Sequence, residues 1–303
     1  MAHIPVLLDE VIKYLNLHEG SVIVDATVGT GGHAKKICKK IGTDGIFIGI
    51  DRDEYLIKKA EAVLKKERCP GRTGKTIFIS DSFKNLDGVL KKIKIDSVNG
   101  VLFDLGMNTN QIKKSGRGFT FLKNEPLIMN YKSKLSGSDI TAEDILNGAS
   151  EEEIYEMLKE YGEERNAGSI SKGVISERKK KRIKTTFDLV EIIKRNIPPN
   201  YVNRKLHFAT KTFQALRIAV NDELNVLEEG LKKAFQKLRP GGRIVAISFH
   251  SLEDRIVKEF FKDKKVSGEG VVLTKKPVTP QLQEKKRKPQ KQERQIESVG
   301  ENE

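Results

Sequence analysis

The chain has 303 residues, 37% of them hydrophobic and 32% charged, and carries a net charge of +14 at pH 7. That length supports one large domain or two modest ones with a real core, and apolar runs recurring along most of it exclude a disordered chain. The positive balance favours a polyanionic partner such as RNA, DNA or an anionic membrane surface, although a lysine-rich composition alone would produce it; no apolar run is long enough to span a bilayer.

The N-terminal segment MAHIPVLLDEVIKYL has neither a basic n-region nor a small-residue cleavage site, so no export signal and a cytoplasmic location are expected. Ser21–Asp25 reads as a strand, followed by a glycine-rich turn and a helix over Gly32–Ile41. Gly45–Ile50 is a second strand ending at Asp51, and Asp53–Lys66 an amphipathic helix. Thr76–Ile79 and Val98–Phe103 are further strands, with a helix around Phe83–Ile93 between them. Strands and helices alternating at this spacing predict βαβ units and a mostly parallel sheet, an α/β fold. The two cysteines, Cys38 and Cys69, make no disulfide framework and no metal pattern.

The alternation stops near Gly106. Up to about Leu206 the pattern is helical (Ala142–Asn147, Glu151–Tyr161, Thr186–Asn196) and rich in charge, including a basic run over Glu177–Lys184 that reads equally as a phosphate contact or a solvated loop. A long helix over Thr210–Leu238 is predicted to stop at Arg239-Pro240-Gly241-Gly242, ahead of a strand over Gly242–Phe249. Past this, strand signal is confined to Val271–Leu273. The economical division is an α/β domain of residues 1–106 and 207–280, interrupted by a helical insert over 107–206. Residues 281–303, rich in Lys, Gln and Glu, are expected to form a disordered tail.

The first strand runs into VDATVGTGGH, residues 24–33. Gly29, Gly31 and Gly32 allow a tight turn and close approach of the backbone to a ligand, and the next helix points its first amides into the same crevice. Gly29-x-Gly31-x-x-Ala34 also satisfies a dinucleotide fingerprint, so a nicotinamide enzyme is one alternative. Asp51 would accept ribose hydroxyls in either case. Asp25 and Asp104, at the ends of the first and fourth strands, would oppose a pyrophosphate but suit a cationic sulfonium, which favours a methyltransferase. Any one of these acids could instead cap a helix.

HIPVLLDEV (3–11), DATVGTGGH (25–33), GIDRDEYLIKKA (49–60), DLG (104–106), RGFTF (117–121), YGEERNA (161–167), TKTFQALRIAVNDEL (210–224) and LRPGGRIVAISFHSLEDRIVK (238–258) occur in order. Together they resemble the ribosomal RNA small subunit methyltransferase H family, from His3 to about Pro280. The resemblance implies a class I Rossmann-like methyltransferase domain with an inserted helical domain that helps hold RNA. It implies S-adenosylmethionine as donor, and a cytosine N4 of 16S rRNA in the small ribosomal subunit as acceptor. No membrane and no metal are expected, because no apolar run spans a bilayer and the five histidines lack paired ligand spacing, and a homodimer is left open. Carried over position by position, donor binding falls on Gly31, Gly32, His33, Asp51, Phe83, Asp104 and Gln111.

A cytosine amino group is a poor nucleophile, so transfer needs in-line placement and an acceptor that orients the amino hydrogens and takes a proton. Asp104 is the candidate catalytic residue. His250 and Ser251 are candidates to touch the substrate, with a helix cap at Ser251 as the alternative; for His207 a local backbone hydrogen bond is expected. Departures from the family cluster on the acceptor side. Residues 124–132 lose three acids and an arginine of the family pattern, residues 107–110 and the block at His207–Lys211 differ, and the terminal basic block is degenerate within 287–294. A donor-binding ribosome-assembly factor with weakened or lost chemistry is therefore the second reading.

Overall fold

The computed structural model describes residues 5–67, 75–202, 206–274, 276–280 and 295–301. They divide into two compact units, one of Met1–Gly106 with Leu224–Glu303 and one of Met107–Glu223.

The first unit is built on a seven-stranded sheet: β1 (Val22–Asp25), β2 (Ile46–Asp51), β3 (Lys75–Ser80), β4 (Val98–Asp104), β5 (Leu238–Ser248), β6 (Gly270–Val272) and β7 (Gln295–Glu301). The order is β3-β2-β1-β4-β5-β7-β6, parallel through β5, with β7 antiparallel to both neighbours. This is the class I Rossmann-like methyltransferase arrangement that the resemblance implied. Successive strand residues face opposite sides, and both sides are buried. Val22, Val24, Ile48, Ile50, Val101 and Phe103 enter one core cluster, while Ile23, Phe47, Leu102, Val245 and Ile247 enter the other.

Helices α1 (Leu8–Tyr14), α2 (Gly32–Ile41) and α3 (Glu54–Lys66) pack into the second of these clusters, and α4 (Leu86–Lys92), with the later α12 (Glu223–Gln236) and α13 (Ser251–Val266), into the first. In α2, Ala34, Ile37, Cys38 and Ile41 recur at helical spacing and are buried. The strand order reverses on either side of β1, so the crevice at the carboxyl ends of β1 and β4 is the topological switch point where such sheets bind ligands.

The second unit holds α5 (Thr109–Lys114), α6 (Ala142–Gly148), α7 (Glu151–Gly162), α8 (Ala167–Arg178), α9 (Thr186–Arg195), α10 (Pro199–Val202) and α11 (Thr210–Asn221). Its own core gathers Leu146, Ile154, Leu158, Ile170, Val174, Leu189, Ile193 and Leu216. Three of its helices start with reciprocal capping boxes, Thr141 with Asp144, Ser150 with Glu153 and Thr185 with Asp188.

The structure differs from the sequence expectation in several places. The long helix over Thr210–Leu238 is two helices, because Asp222 takes a left-handed conformation (φ 51°). Asn221 secures the break by donating from Nδ2 to the carbonyls of Met129 (2.7 Å) and Arg217 (2.9 Å). The unit boundary accordingly falls at Glu223, so 207–223, expected in the α/β domain, lie in the helical unit.

Strand β5 starts at Leu238 and carries Pro240-Gly241 through a register shift against β4; Gly241 has φ 74°. Part of the expected disordered tail is ordered, since β7 pairs with β5 and β6. Composition reports side chains, whereas this pairing rests on backbone groups offered by an open sheet edge. Residues 281–294 of that tail, His3 and Cys69 lie outside the described residues. Among the described residues no helix is long and apolar enough to cross a membrane.

Candidate functional site

The turn after β1 is held by backbone bonds to the neighbouring strands. Ala26 N–H donates to Leu102 O (2.8 Å), Val28 N–H to Ile50 O (2.9 Å) and Gly31 N–H to Val28 O (2.9 Å). Gly31 has φ 83°, and a Cβ there would stand 3.2 Å from Ala60 Cα, so the turn closes against α3 only with glycine.

Asp51, at the end of β2, locks this turn from the side. Its Oδ2 accepts Gly29 N–H at 3.0 Å and its Oδ1 accepts Asp53 N–H at 2.9 Å. Both carboxylate oxygens thus organise backbone at the turn. Thr27 closes the other side, where its Oγ1 accepts Asp104 N–H at 2.7 Å. No motif in the sequence singles out Thr27. Its role arises because the turn and the end of β4 meet.

Asp25 is 1% exposed and accepts Thr27 N–H at 3.2 Å. Burial, reinforced by the nearby charges of Asp104 and Asp51, pushes its carboxyl up to about 8. Three strand-end acids therefore share one field around the glycine turn, and a cation placed there would relieve it.

His33, in the first turn of α2, is 4% exposed. Its Nε2 meets the carbonyl of Val6 at 2.9 Å and its Nδ1 lies 3.6 Å from Asp104 Oδ2. A carbonyl only accepts, so Nε2 carries the hydrogen. A Cβ at Gly32 would stand 3.2 Å from Pro5 Cγ. The N-terminal PVL segment is therefore a support under the start of α2, a function its sequence does not advertise.

Phe83 follows β3 in a 3₁₀ turn, Phe83–Asn85. Its ring packs edge-on against Phe103 (5.3 Å between centroids, 86°), and a Cβ at Gly230 would come within 2.5 Å of it. One side of the ring is thus committed to the core. A Cβ at Gly106 would stand 2.5 Å from the Phe249 ring, so the backbone beyond Asp104 runs close under that ring.

The structure thus brings Gly31, Gly32, His33, Asp51 and Asp104 together with Asp25 at the switch point. Gln111 belongs to the helical unit, where it is buried and its Oε1 accepts Asn108 N–H at 3.1 Å. His250 takes the helix-cap position, which the sequence reading offers to Ser251 as the alternative to a substrate contact. Its Nδ1 accepts Glu253 N–H at 3.4 Å, and its Nε2 stands 3.1 Å from Glu253 Oε1.

The basic run is largely engaged within its own unit. Arg178 donates to the Leu146 and Ala149 carbonyls, Lys180 pairs with Glu177, Lys181 with Asp188 and Arg182 with Glu143. In the departed stretch, Asn130 is 2% exposed. Its Nδ2 donates to Ile140 O (3.2 Å) and its Oδ1 accepts Lys132 N–H (2.9 Å).

This geometry fits a cationic nucleoside donor better than a diphosphate. A family profile described as the MraW methylase family matches residues 1–299. The ribosomal RNA small subunit methyltransferase H of Sulfurihydrogenibium sp. (strain YO3AOP1) is 46% identical over 287 residues, covering 95% of this chain and 94% of that protein. Its namesake from Dictyoglomus thermophilum is 44% identical over 283 residues, covering 93% and 91%. A third, from Clostridium botulinum (strain Kyoto / Type A2), is 39% identical over 298 residues, covering 93% of each chain.

Proposed function

The chain belongs to the MraW methylase family, whose methyl donor is S-adenosylmethionine, and on that premise we propose that it methylates N4 of a cytidine in 16S rRNA of the small ribosomal subunit. The observation that carries the reading is the ring of Asp25, Asp51 and Asp104 around a glycine turn, with Asp25 held up to about 8 by burial and by its two neighbours.

The donor, when bound, supplies an electrophilic methyl group. Gly31 and Gly32 would pass their backbone close along it, Asp51 would accept its ribose hydroxyls, and the open side of Phe83 would meet its adenine. His33 and Gln111 complete the proposed donor set. Asp104 would accept the amino hydrogens of the target cytosine, orient the nitrogen lone pair and take the proton released as the N–C bond forms. His250, at the cap of α13, and Ser251, its first residue, are the proposed substrate contacts.

The test is mass spectrometry of small-subunit rRNA nucleosides from cells with and without the gene, together with calorimetry against S-adenosylmethionine and NAD. Loss of an N4-methylated cytidine in the deletion, and heat with the methyl donor alone, are expected. An unchanged nucleoside profile with intact donor binding would favour the second reading, a ribosome-assembly factor. Binding of NAD alone would overturn both.

A further inference from the structure

One aromatic cluster of the helical unit has no part in the donor set. His207 lies between two phenyl rings, Phe121 at 4.3 Å and 9° and Phe208 at 4.4 Å and 24°. Phe213 closes edge-on against Phe121 at 5.4 Å. Both faces of the imidazole are covered, and only its edge remains. On that edge Nδ1 accepts Ala209 N–H at 3.3 Å. A neutral imidazole whose Nδ1 accepts carries its hydrogen on Nε2. Burial pushes the ring's pKa down and so keeps it neutral.

The ring is therefore a stiffened donor of known tautomer, and among the described residues nothing accepts from its Nε2. The neighbours in sequence of two stacked rings, Leu122 and Leu206, are 75% and 54% exposed. Exposed apolar side chains beside one directed hydrogen-bond donor can flank an unstacked RNA base while the donor reads its edge.

We propose that His207 is a base-reading residue, its Nε2–H donating to a ring acceptor of a pyrimidine in the substrate RNA, with Leu122 and Leu206 as the apolar rim. The inference rests on the reading of this chain as an RNA cytosine methylase. A cytosine offers O2 and N3 as acceptors while its N4 amino group donates. A donor that takes the O2/N3 side therefore reads the base without engaging N4. A neutral imidazole suits such an uncharged acceptor, whereas a phosphate would select a cation.

The test uses the full chain and small ribosomal subunits from cells lacking the gene. His207→Phe keeps a flat ring and deletes the donor; His207→Gln restores an N–H at similar reach. His207→Phe should weaken subunit binding on filters by about tenfold, the effect of losing one directed hydrogen bond. It should raise the subunit KM with kcat changed less than about threefold, while His207→Gln recovers most of the loss. Donor affinity should be unchanged in both.

On the wild-type protein, millimolar CMP should shift the His207 imidazole nitrogen resonance and ribose 5-phosphate should not. Unchanged subunit binding by His207→Phe, a loss that His207→Gln fails to recover, or equal shifts with ribose 5-phosphate and CMP would each overturn the assignment. A wild-type protein that binds donor and subunits yet methylates nothing would defeat the proposed reaction, and the filter-binding comparison would still decide His207.

Discussion

The Nδ1 of His33 lies 3.6 Å from Asp104 Oδ2 while its Nε2 is held by the Val6 carbonyl at 2.9 Å. One buried imidazole thus links the N-terminal segment, the first turn of α2 and the end of β4. His33→Ala strands the Val6 carbonyl and opens space in the interior, and should cost about 1–3 kcal/mol of stability. Urea denaturation at pH 7 measures it; a midpoint equal to wild type would show that the link is not structural.

Asp51 serves both the turn and, as proposed, the donor. Asp51→Ala removes the acceptor of Gly29 N–H and of the ribose hydroxyls. Hydrogen bonds to a charged partner are worth roughly 1.5–3 kcal/mol, so donor affinity should fall about tenfold or more. Calorimetry on the folded variant checks this, and wild-type affinity would confine Asp51 to a structural role.

Asp25 sets a pH dependence whose sign is opposite to that of a salt-bridged acid. Its carboxyl stands at about 8 in the fold against 3.8 ordinarily. Between those values the folded state holds a proton that the unfolded chain has lost, so its contribution to stability declines as pH rises through the window. Asp25→Asn should gain stability relative to wild type progressively from about pH 5 to pH 8. Parallel denaturation midpoints for the two proteins across that range would contradict the buried, protonated carboxyl.

The same proton should leave when a cation binds beside it. Donor binding at pH 7 is expected to release protons, so the calorimetric enthalpy should depend on the ionisation heat of the buffer. Asp25→Asn should lose that dependence. Identical buffer dependence in the variant would place the released proton elsewhere.

The departed stretch tests whether its residues are damage or a repacked solution. Asn130 is buried and bonded through both ends of its amide. Its carbonyl also accepts from Arg117 Nη1 at 3.1 Å. Restoring the family's pattern with Ile128→Asp and Asn130→Arg should therefore lower stability by about 1–3 kcal/mol through overpacking. It should reduce methyl transfer to subunits and leave donor affinity intact. Higher single-turnover activity in the double variant would mark the native stretch as a relic.

Much of the first unit was legible in the chain itself. Short β-branched runs at β1, β2 and β4, each ending in an aspartate, and the helical spacing in α2 and α3 are local patterns. Period 2 and period 3.6 decide them before any tertiary contact forms. The glycine turn and the three acids were legible for the same reason, since each is fixed by its place at a strand end.

What only the tertiary structure decided depends on partners distant in sequence. Helix α8 carries too weak a stripe to announce itself. The break at Asp222 is sustained by Asn221 reaching the carbonyl of Met129. His250 rather than Ser251 caps α13 because of where the chain turns after β5, and β7 forms because β5 and β6 offer it backbone groups. Thr27 meets Asp104, and His207 falls between Phe121 and Phe208, only once separate segments have been folded together. Periodicity is a property of neighbouring residues, whereas a hydrogen bond or a ring stack across many tens of residues exists only after the fold has brought its two halves within a few ångströms.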